Sequence, residues 1–552
     1  MDRRSFLRAG AGAAGALALA GCRPIQDGRT AISDPGEPSV RPTLRLPISG
    51  DFGFPNPLAY LPPAYIFVSY IFDTLLWTDA TDTAKPWLAK TYERSADGRQ
   101  YTFHLRDNVK WHDGQPLSAD DVAFSFNYFK AQELKLPPYV IFRPENVVQA
   151  KAVDPATVVI SLSRPAVTFP TAVAATFPIV PAHIWSSMQN PAAVTNPAKL
   201  VGSGPYRLEK YSSSQGSYLL TANDQFFLGK PFVKRLEFSQ VGDQLTALLA
   251  GDADAGGFGI NGATPLALWP FRDRQEFGVI KGHPDFTAAL YFNLKSGGAL
   301  NDVSFRRAVA LAIDRKDMTS RLFGSMAEPG NPGFLPPRHP FGVKVEQYEF
   351  NRKAAEALLD KAGYARGPDG VRVGPGAKPL RFKLLAVPQL APVTELVQIA
   401  LKSIGVAVEI EPVEFFQAFQ SLSGGNYDMA MIFYGGIGGD PDYMRGVYSS
   451  KFDPKGFLSV HGYKDDEFDR LAEAQLGTFD EAERKTMVAR MQQIVARDVP
   501  LIHIYYPVPF LVYRRTAFDQ WTYGRAGGGP LNKRLMVTGL KQGLDVRPIK
   551  GE

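Results

Sequence analysis

The sequence predicts an α/β fold, because segments with the two-residue period of strands alternate with segments that have the period of helices. Three stretches are β-branched or alternate apolar and polar residues as strands do: 43–48, 100–106 and 157–163. Three others carry apolar residues at helical spacing: 304–323, 351–363 and 393–405. The last of them runs into VAVEIEPVE, a further strand, which is the helix-to-strand order of an α/β unit. The chain has no fixed repeat period, which disfavours solenoids and propellers.

The chain begins with a segment typical of an export signal. Arg3 and Arg4 precede residues 9–20, which are only Ala, Gly and Leu and are too short for a bilayer span of roughly 20 residues. This pattern resembles a twin-arginine signal, and Leu19-Ala20-Gly21-Cys22 resembles the lipobox of bacterial lipoproteins. We predict that residues 1–21 are a Tat-type lipoprotein signal peptide and that Cys22 is lipidated. The alternative is a signal peptide whose cysteine is incidental.

The rest of the chain has the composition of a large globular protein on a tether. Residues 22–42 are rich in Pro, Gly, Ser and charge, which predicts a flexible linker. Hydrophobic residues make up 45% of the chain and charged residues 21%, and the length allows about two to four domains. Cys22 is the only cysteine, which excludes an intramolecular disulfide. A net charge of +6 without a Lys/Arg block predicts that nucleic acid is not a partner.

The stretch KWHDGQPLSADDVAFSF, residues 110–126, places His112 among three aspartates and two serines, a composition that many hydrolase sites share. Asp113-Gly114 is a turn dipeptide, and Ser118 followed by Asp121 is a carboxylate variant of the capping box at a helix start. These roles account for the acidic residues, and His112 has no partner at a spacing typical of catalysis. We interpret the stretch as a strand, turn and helix with a structural role.

The same stretch carries a resemblance to a known family. VKWHDGQPL at 109–117, followed by SADDV and Phe124, is similar to the signature of the family 5 extracellular solute-binding proteins. Further matches follow in family order and cover nearly the whole chain after the signal: FDTL at 72–75, PWLA at 86–89, VGSGPY at 201–206, GKP at 229–231, LLAGDAD at 248–254, FNL at 292–294 and RRAVALAIDR at 306–315. These proteins are periplasmic or lipid-anchored receptors of ABC importers for oligopeptides, dipeptides, nickel complexes and some oligosaccharides.

The resemblance implies a two-lobed α/β periplasmic-binding-protein fold of type II, in the large peptide-binding class, with a ligand cleft between the lobes. The lobes would close about hinges near residues 284 and 507. The implied boundaries are 43–283 for lobe I, with 61–196 as an extra subdomain and 508–545 returning to it, and 284–507 for lobe II.

The resemblance also implies where the protein works and with what. A receptor of this kind acts outside the cytoplasm, in the periplasm or at the cell surface, and delivers its solute to ABC permease subunits. The membrane would be reached through lipidated Cys22, and we expect a monomer. No cofactor is expected.

The segment MIFYGGIGGDPDYM at 431–444 resembles the family segment in which an apolar strand ends in a Gly-rich turn and an aspartate. In peptide-binding members that aspartate pairs with the α-amino group of the ligand, and Asp440 is the matching position. A carboxylate at a strand end in a cleft can bind an ammonium by a charge-assisted hydrogen bond. Ile437 stands where the family usually has tryptophan, and Asp442 offers a second acid. The alternative is that the Asp-Pro-Asp run only caps a turn before the next helix.

Other residues of the matching segments are candidate ligand contacts. Gly436 and Gly438 would let backbone groups approach an extended peptide and bond to it as an added strand. Phe52, Phe258 and Tyr434 could pack on a ligand side chain or a sugar ring, although aromatic residues are more often part of a core.

The sequence disfavours an enzyme. GxxxxGK[ST], GxSxG and HExxH are absent, and the seven histidines form no close pair, so neither a common nucleophile nor a metal-ligand spacing is visible. We therefore predict a binding protein that delivers short peptides or peptide-like solutes to an ABC permease. The alternatives are the same fold binding an oligosaccharide or a chelated metal, and a surface receptor or adhesin lipoprotein without transport. An exported hydrolase is disfavoured.

Overall fold

The computed structural model describes residues 42–59, 64–78, 83–131, 146–257, 264–282, 284–452, 459–518 and 521. The predicted signal peptide, Cys22 and Phe258 lie outside the described residues. The α/β prediction is confirmed, because strands and helices alternate along the described chain.

The strands are mostly short and fall into several sheets. In chain order they are β1 Thr43–Ile48, β2 Leu76–Thr78, β3 Ala84–Pro86, β4 Ala89–Arg94, β5 Gln100–Leu105, β6 Val147–Asp154, β7 Thr157–Leu162, β8 Tyr206–Ser212, β9 Ser217–Ala222, β10 Arg235–Gln240, β11 Ala255–Gly256, β12 Phe277–Lys281, β13 Phe286–Phe292, β14 Ala327–Pro329, β15 Ala365–Arg366, β16 Arg372–Val373, β17 Arg381–Ala386, β18 Ala407–Pro412, β19 Met429–Gly435, β20 Leu501–Pro507 and β21 Phe510–Arg514.

The helices are longest in the second half of the described chain. In chain order they are α1 Tyr65–Ile71, α2 Ala119–Ala131, α3 Ala182–Trp185, α4 Gln244–Ala250, α5 Pro265–Leu268, α6 Gly298–Asn301, α7 Val303–Ala312, α8 Arg315–Phe323, α9 Arg352–Lys361, α10 Ala391–Ser403, α11 Phe415–Gly424, α12 Tyr443–Tyr448, α13 Asp466–Leu476 and α14 Glu481–Asp498.

One predicted helix is two helices. The apolar spacing of residues 304–323 predicted a single helix, but α7 ends at Ala312 and α8 begins at Arg315. Asp314 causes the break, because its side chain accepts a hydrogen bond from the backbone N–H of Asp317 and so caps a new helix start. The predicted strands at 43–48, 100–106 and 157–163 are confirmed as β1, β5 and β7.

The stretch at 110–126 has the structural role that the sequence predicted. Gly114 has a φ of +93°, as the turn requires, and the Asp121 carboxylate accepts a hydrogen bond from the Ser118 N–H at 3.0 Å where α2 begins. His112 is buried: its Nε2 donates to the carbonyl of Gly204 at 2.9 Å, and its Nδ1 accepts from the N–H of Gly202 at 3.2 Å. Burial lowers the pKa of His112 to about 4, so the ring is neutral and serves the fold.

The N-terminal half builds one hydrophobic core, which we call the first core. Its apolar residues lie between Leu44 and Phe238, joined by a few from later in the chain. Two four-stranded sheets supply it, with the strand orders β1-β10-β9-β8 and β4-β5-β7-β6. The apolar face of α2 packs into the same cluster through Val122, Phe126 and Phe129.

The second core lies between Ala288 and Tyr506 and surrounds a six-stranded sheet with the order β14-β20-β13-β19-β17-β18. Strands β17 and β18 are parallel and are connected through α10, which is the βαβ unit that the helix-to-strand pattern predicted. Strand β13 is antiparallel to both of its neighbours, β19 and β20. The sheet is therefore mixed, with helices joining its parallel strands.

The chain passes between the two cores twice. It leaves β12, in a three-stranded sheet of order β11-β21-β12, and enters β13 of the six-stranded sheet; it returns from β20 to β21. The two passages are tied together by a hydrogen bond of 2.8 Å from the N–H of Gly282 to the carbonyl of Pro509. The predicted lobe boundaries stay predictions.

The cores also touch through the end of α13 and the turn that follows it. Leu476 is buried in the first core, and its carbonyl accepts a hydrogen bond of 2.8 Å from the N–H of Val167. Arg164 forms an ion pair with Glu473, and the guanidinium of Arg94 lies 3.7 Å from the centroid of the Phe479 ring. This second contact involves residues that are far in sequence from both passages.

Candidate functional site

The Gly-rich segment that the sequence singled out follows the end of β19. Gly435, the last residue of β19, pairs with Phe286, the first residue of β13. The N–H of Ile437 donates to the backbone carbonyl of Asp285 at 3.3 Å, and the N–H of Gly438 donates to the Asp285 carboxylate at 3.2 Å. The segment therefore lies at the end of the six-stranded sheet where the chain crosses from one core to the other.

The glycines of this segment are required by its own packing. Gly436 has a φ of +92°, and a Cβ added there would overlap the ring of Tyr443. A Cβ on Gly438 would lie 2.6 Å from the carbonyl oxygen of Pro284. Both positions exclude a side chain for reasons internal to the protein, whether or not a ligand also approaches the backbone.

The carboxylate of Asp440 is held by an arginine from α14. Arg484 donates to it twice, from Nη1 at 2.9 Å and from Nη2 at 2.5 Å, which is the bidentate geometry of a strong ion pair. The side chain of Arg484 is 7% exposed and that of Asp440 is 28% exposed. Asp440 also accepts from the N–H of Asp442 at 2.8 Å, as a turn-capping aspartate does. This capping contact is the one that the alternative interpretation of the Asp-Pro-Asp run expected.

Asp442 is also bonded within the protein. Arg445 donates to both of its carboxylate oxygens, at 2.7 and 2.8 Å, and the amide of Gln475 donates to it at 2.7 Å. Burial alone would raise the pKa of Asp442, but the hydrogen bond and charge of Arg445 hold it below its usual value. The carboxylate is therefore ionised and paired at neutral pH.

Gln475 joins the two ion pairs into one network. Its amide oxygen accepts from Nε of Arg484 at 2.9 Å, while its amide nitrogen donates to Asp442. The side chain of Gln475 is fully buried at the end of α13, next to the start of α14. The end of α13 and the start of α14 thus supply two of the side chains that hold the Asp440–Asp442 turn.

A loop of the second core packs against the same turn. His339 donates from Nε2 to the carbonyl of Gly439 at 2.8 Å and accepts on Nδ1 from the N–H of Phe341 at 3.1 Å. The Phe341 ring lies 5.4 Å from the guanidinium carbon of Arg484. No local pattern around His339 or Arg484 pointed to these contacts, because both residues reach the turn from distant parts of the sequence.

The remaining predicted contacts fall into two different cores. Tyr434 and Ile437 are 2% and 0% exposed and belong to the second core, where the Tyr434 ring meets Tyr291 edge to face at 6.0 Å. Phe52 is partly buried against the first core, with its ring 6.2 Å from that of Phe67. The structure therefore brings Tyr434, Gly436, Ile437, Gly438 and Asp440 together, and Phe52 lies apart from them in another cluster.

A cavity of about 740 Å³ opens in the second core beside the start of α8 and strand β14. Arg315 in its wall donates to the carbonyls of Gly330 and Tyr348 at 2.9 and 2.7 Å. At the rim, Lys316 pairs with Glu349 at 2.8 Å. These cationic groups are engaged by the wall of the cavity itself.

The described residues contain neither a metal-ligand cluster nor a membrane-spanning helix. In the part of the chain that the structure describes, no cluster of three or more His, Cys, Asp or Glu side chains is arranged to hold a metal ion. Across the same ranges, no helix combines the length and the apolar character that crossing a membrane demands.

Comparison with known proteins gives consistent matches over most of the chain. Residues 83–455 match the model of the family described as "Bacterial extracellular solute-binding proteins, family 5 Middle". The chain is 26% identical to the oligopeptide-binding protein AppA of Bacillus subtilis over 88% of its own length and 87% of that protein. It is also 26% identical to the nickel-binding periplasmic protein of Escherichia coli, over 73% of this chain and 75% of that protein.

A solved structure extends the likeness to the whole fold. The crystal structure of NikZ from Campylobacter jejuni in complex with Ni(L-His) superposes with a TM-score of 0.75 at 25% identity. The superposition covers 91% of this chain and 98% of that one. The predicted fold class, two α/β lobes of the periplasmic-binding-protein kind, is thereby confirmed.

Proposed function

This chain belongs to the family 5 bacterial extracellular solute-binding proteins, and we propose that it captures short peptides or peptide-like solutes for an ABC importer and delivers them to the permease. The observation that supports this proposal most directly is the likeness to an oligopeptide-binding protein along nearly the whole chain of both proteins. The family match at residues 83–455 includes most of both cores and the first passage between them.

The fold supports a mechanism in which the two cores close around the solute. Each passage between them is short, from Lys281 to Phe286 and from Pro507 to Phe510, so a few backbone torsions at these points would turn one core relative to the other. The hydrogen bond between Gly282 and Pro509 would make the two passages bend as a pair. The solute would bind between the cores, near the end of β19.

A chelated metal is the second candidate ligand. The nickel-binding periplasmic protein and the NikZ structure with Ni(L-His) are both similar to this chain. A metal held by small-molecule chelators would need few or no protein ligands and would be bound largely through the chelator. An oligosaccharide ligand, or a receptor or adhesin role without transport, stays a prediction from the sequence.

We further propose that the protein is anchored outside the cytoplasm by a lipid on Cys22, within the lipobox-like Leu19–Cys22 run. The test is partition of the full-length protein into detergent phase after expression in a bacterium that processes lipoproteins. Cys22→Ala should move the protein to the aqueous phase, with Gly21→Ala, which keeps the lipobox cysteine, as the matched control. Detergent partition of Cys22→Ala equal to the wild type would contradict the anchor.

Native mass spectrometry of the full-length chain tests the ligand class. The protein would be mixed, in separate samples, with a library of tri- to pentapeptides, with nickel and histidine, and with oligosaccharides. Peptide adducts that form at micromolar peptide concentration, which corresponds to a binding free energy of roughly −8 kcal/mol, would support the proposal. Adducts confined to nickel–histidine would favour the second candidate, and adducts confined to sugars would refute both.

A further inference from the structure

We infer that Asp440 positions the binding turn and does not contact the ligand, so that this receptor accepts solutes without a free terminal ammonium, such as N-blocked peptides. The inference rests on the proposed function, because it concerns how a peptide-like solute would be recognised. It runs against the role that the sequence resemblance assigned to Asp440.

An internal cation already occupies the carboxylate of Asp440. Arg484 makes two charge-assisted hydrogen bonds to Asp440, one to each oxygen, and the N–H of Asp442 makes a third. A guanidinium in this geometry provides the same charge and the same hydrogen-bond donors that a ligand ammonium would bring. Arg484 therefore takes the place that the peptide amine would have.

The ion pair of Asp440 and Arg484 resists exchange with a ligand ammonium. For a ligand ammonium to bind Asp440, the guanidinium of Arg484 would have to leave it. Among the described residues, Asp440 is the only carboxylate that pairs with Arg484. The guanidinium would keep the neutral amide of Gln475 and the ring face of Phe341. Leaving a buried arginine without its counter-ion is strongly unfavourable, because the charge stays out of water and is no longer compensated.

The neighbouring acids are engaged within the protein as well. Asp442 accepts from Arg445 and Gln475. Asp285 accepts the N–H of Gly438 and so closes the turn onto the passage between the cores. Asp442 is thus held by side chains of the protein, and Asp285 by the backbone of the turn.

Ile437 lies in the middle of the turn and has no exposed surface. It contributes an apolar side chain to the second core and no hydrogen-bonding group beyond its backbone. What the turn offers to a solute is therefore the partly exposed backbone of Gly435, Gly436 and Gly439, which can bind an extended chain without reading the charge of its end.

The test compares one peptide in two forms. The peptide that native mass spectrometry selects from the tri- to pentapeptide library would be made with a free and with an acetylated N-terminus, and both would be titrated calorimetrically into the full-length chain. We expect the two affinities to differ by less than about tenfold. A loss of about tenfold or more on acetylation would overturn the inference, because that is the effect of a lost charge-assisted bond to the ammonium.

Thermal unfolding of Asp440→Asn tests the positioning role of Asp440 even if no peptide binds. The absence of peptide binding would count against the proposed function and not against this positioning role. The matched control is Glu481→Gln, which removes an exposed carboxylate that pairs with Lys485 at the start of α14, the helix that carries Arg484. Asp440→Asn should lower Tm clearly more than Glu481→Gln does. Equal Tm values for the two variants would overturn the inference.

Discussion

Replacing Gly436 by alanine should destabilise the second core, because the residue combines a left-handed backbone with a contact that excludes a side chain. Its φ of +92° lies in the region that residues with a Cβ rarely adopt, which costs about 1–2 kcal/mol. The added Cβ would also overlap the Tyr443 ring, and forcing a ring to move typically costs a further 1–3 kcal/mol or so. We therefore expect a loss of about 2–5 kcal/mol in the free energy of unfolding.

Urea unfolding followed by circular dichroism would measure this loss, with native mass spectrometry reporting whether the variant still binds a ligand. The matched control is Gly439→Ala, three residues along the same turn. There the nearest atom to an added Cβ is the carbonyl oxygen of Gly436, at 3.9 Å, so the side chain fits. Equal unfolding midpoints for the two variants would refute the reasoning, because the backbone and packing arguments apply to Gly436 and not to Gly439.

Three further predictions concern buried polar groups. Trp87→Phe should lower the free energy of unfolding by about 1–3 kcal/mol, because the indole N–H donates at 2.8 Å to the buried Asp73 carboxylate. An unchanged midpoint of urea unfolding would contradict this prediction. Burial lowers the pKa of His503 to about 3, against roughly 6.5 in an unfolded chain. The free energy of unfolding should therefore fall as the pH drops from 6.5 toward 3, by up to about 1.4 kcal/mol per pH unit. His503→Gln should flatten this dependence in melting curves measured from pH 7 to 4. Arg445 holds the pKa of Asp442 below its usual value despite burial. This carboxylate therefore stabilises the fold above its unfolded pKa of about 3.9, and the stabilisation is lost as the pH falls through its lower pKa in the folded protein. Asp442→Asn should weaken the acid unfolding step seen by circular dichroism.

The parts of the fold that the sequence predicts are those decided by neighbours along the chain. Strands β1, β5 and β7 follow from two-residue alternation, and the end of α9 follows from Gly363, which has a φ of +86°. The single helix predicted over residues 304–323 failed for a local reason of the same kind. Asp314 can cap a helix, but apolar periodicity continues through it and hides the break.

The candidate site was harder to predict, because its side chains are paired over long distances in the sequence. Asp440 was expected to be available to a ligand, yet its partner Arg484 stands on a helix 44 residues further along. Gln475 and His339 reach the same turn from other elements. A motif shows which residue types are present, and only the folded chain shows which charges have already been paired.

The same connection between α13 and α14 that pairs with the turn also meets the first core. Gln475 and Arg484 hold the Asp440–Asp442 turn, while Leu476 is buried in the first core and Phe479 lies under Arg94. These residues are close in sequence, on the end of one helix, its turn and the start of the next. Because a short connection cannot move one of these contacts far without straining the others, the position of the turn and the contact between the cores are fixed by the same few residues.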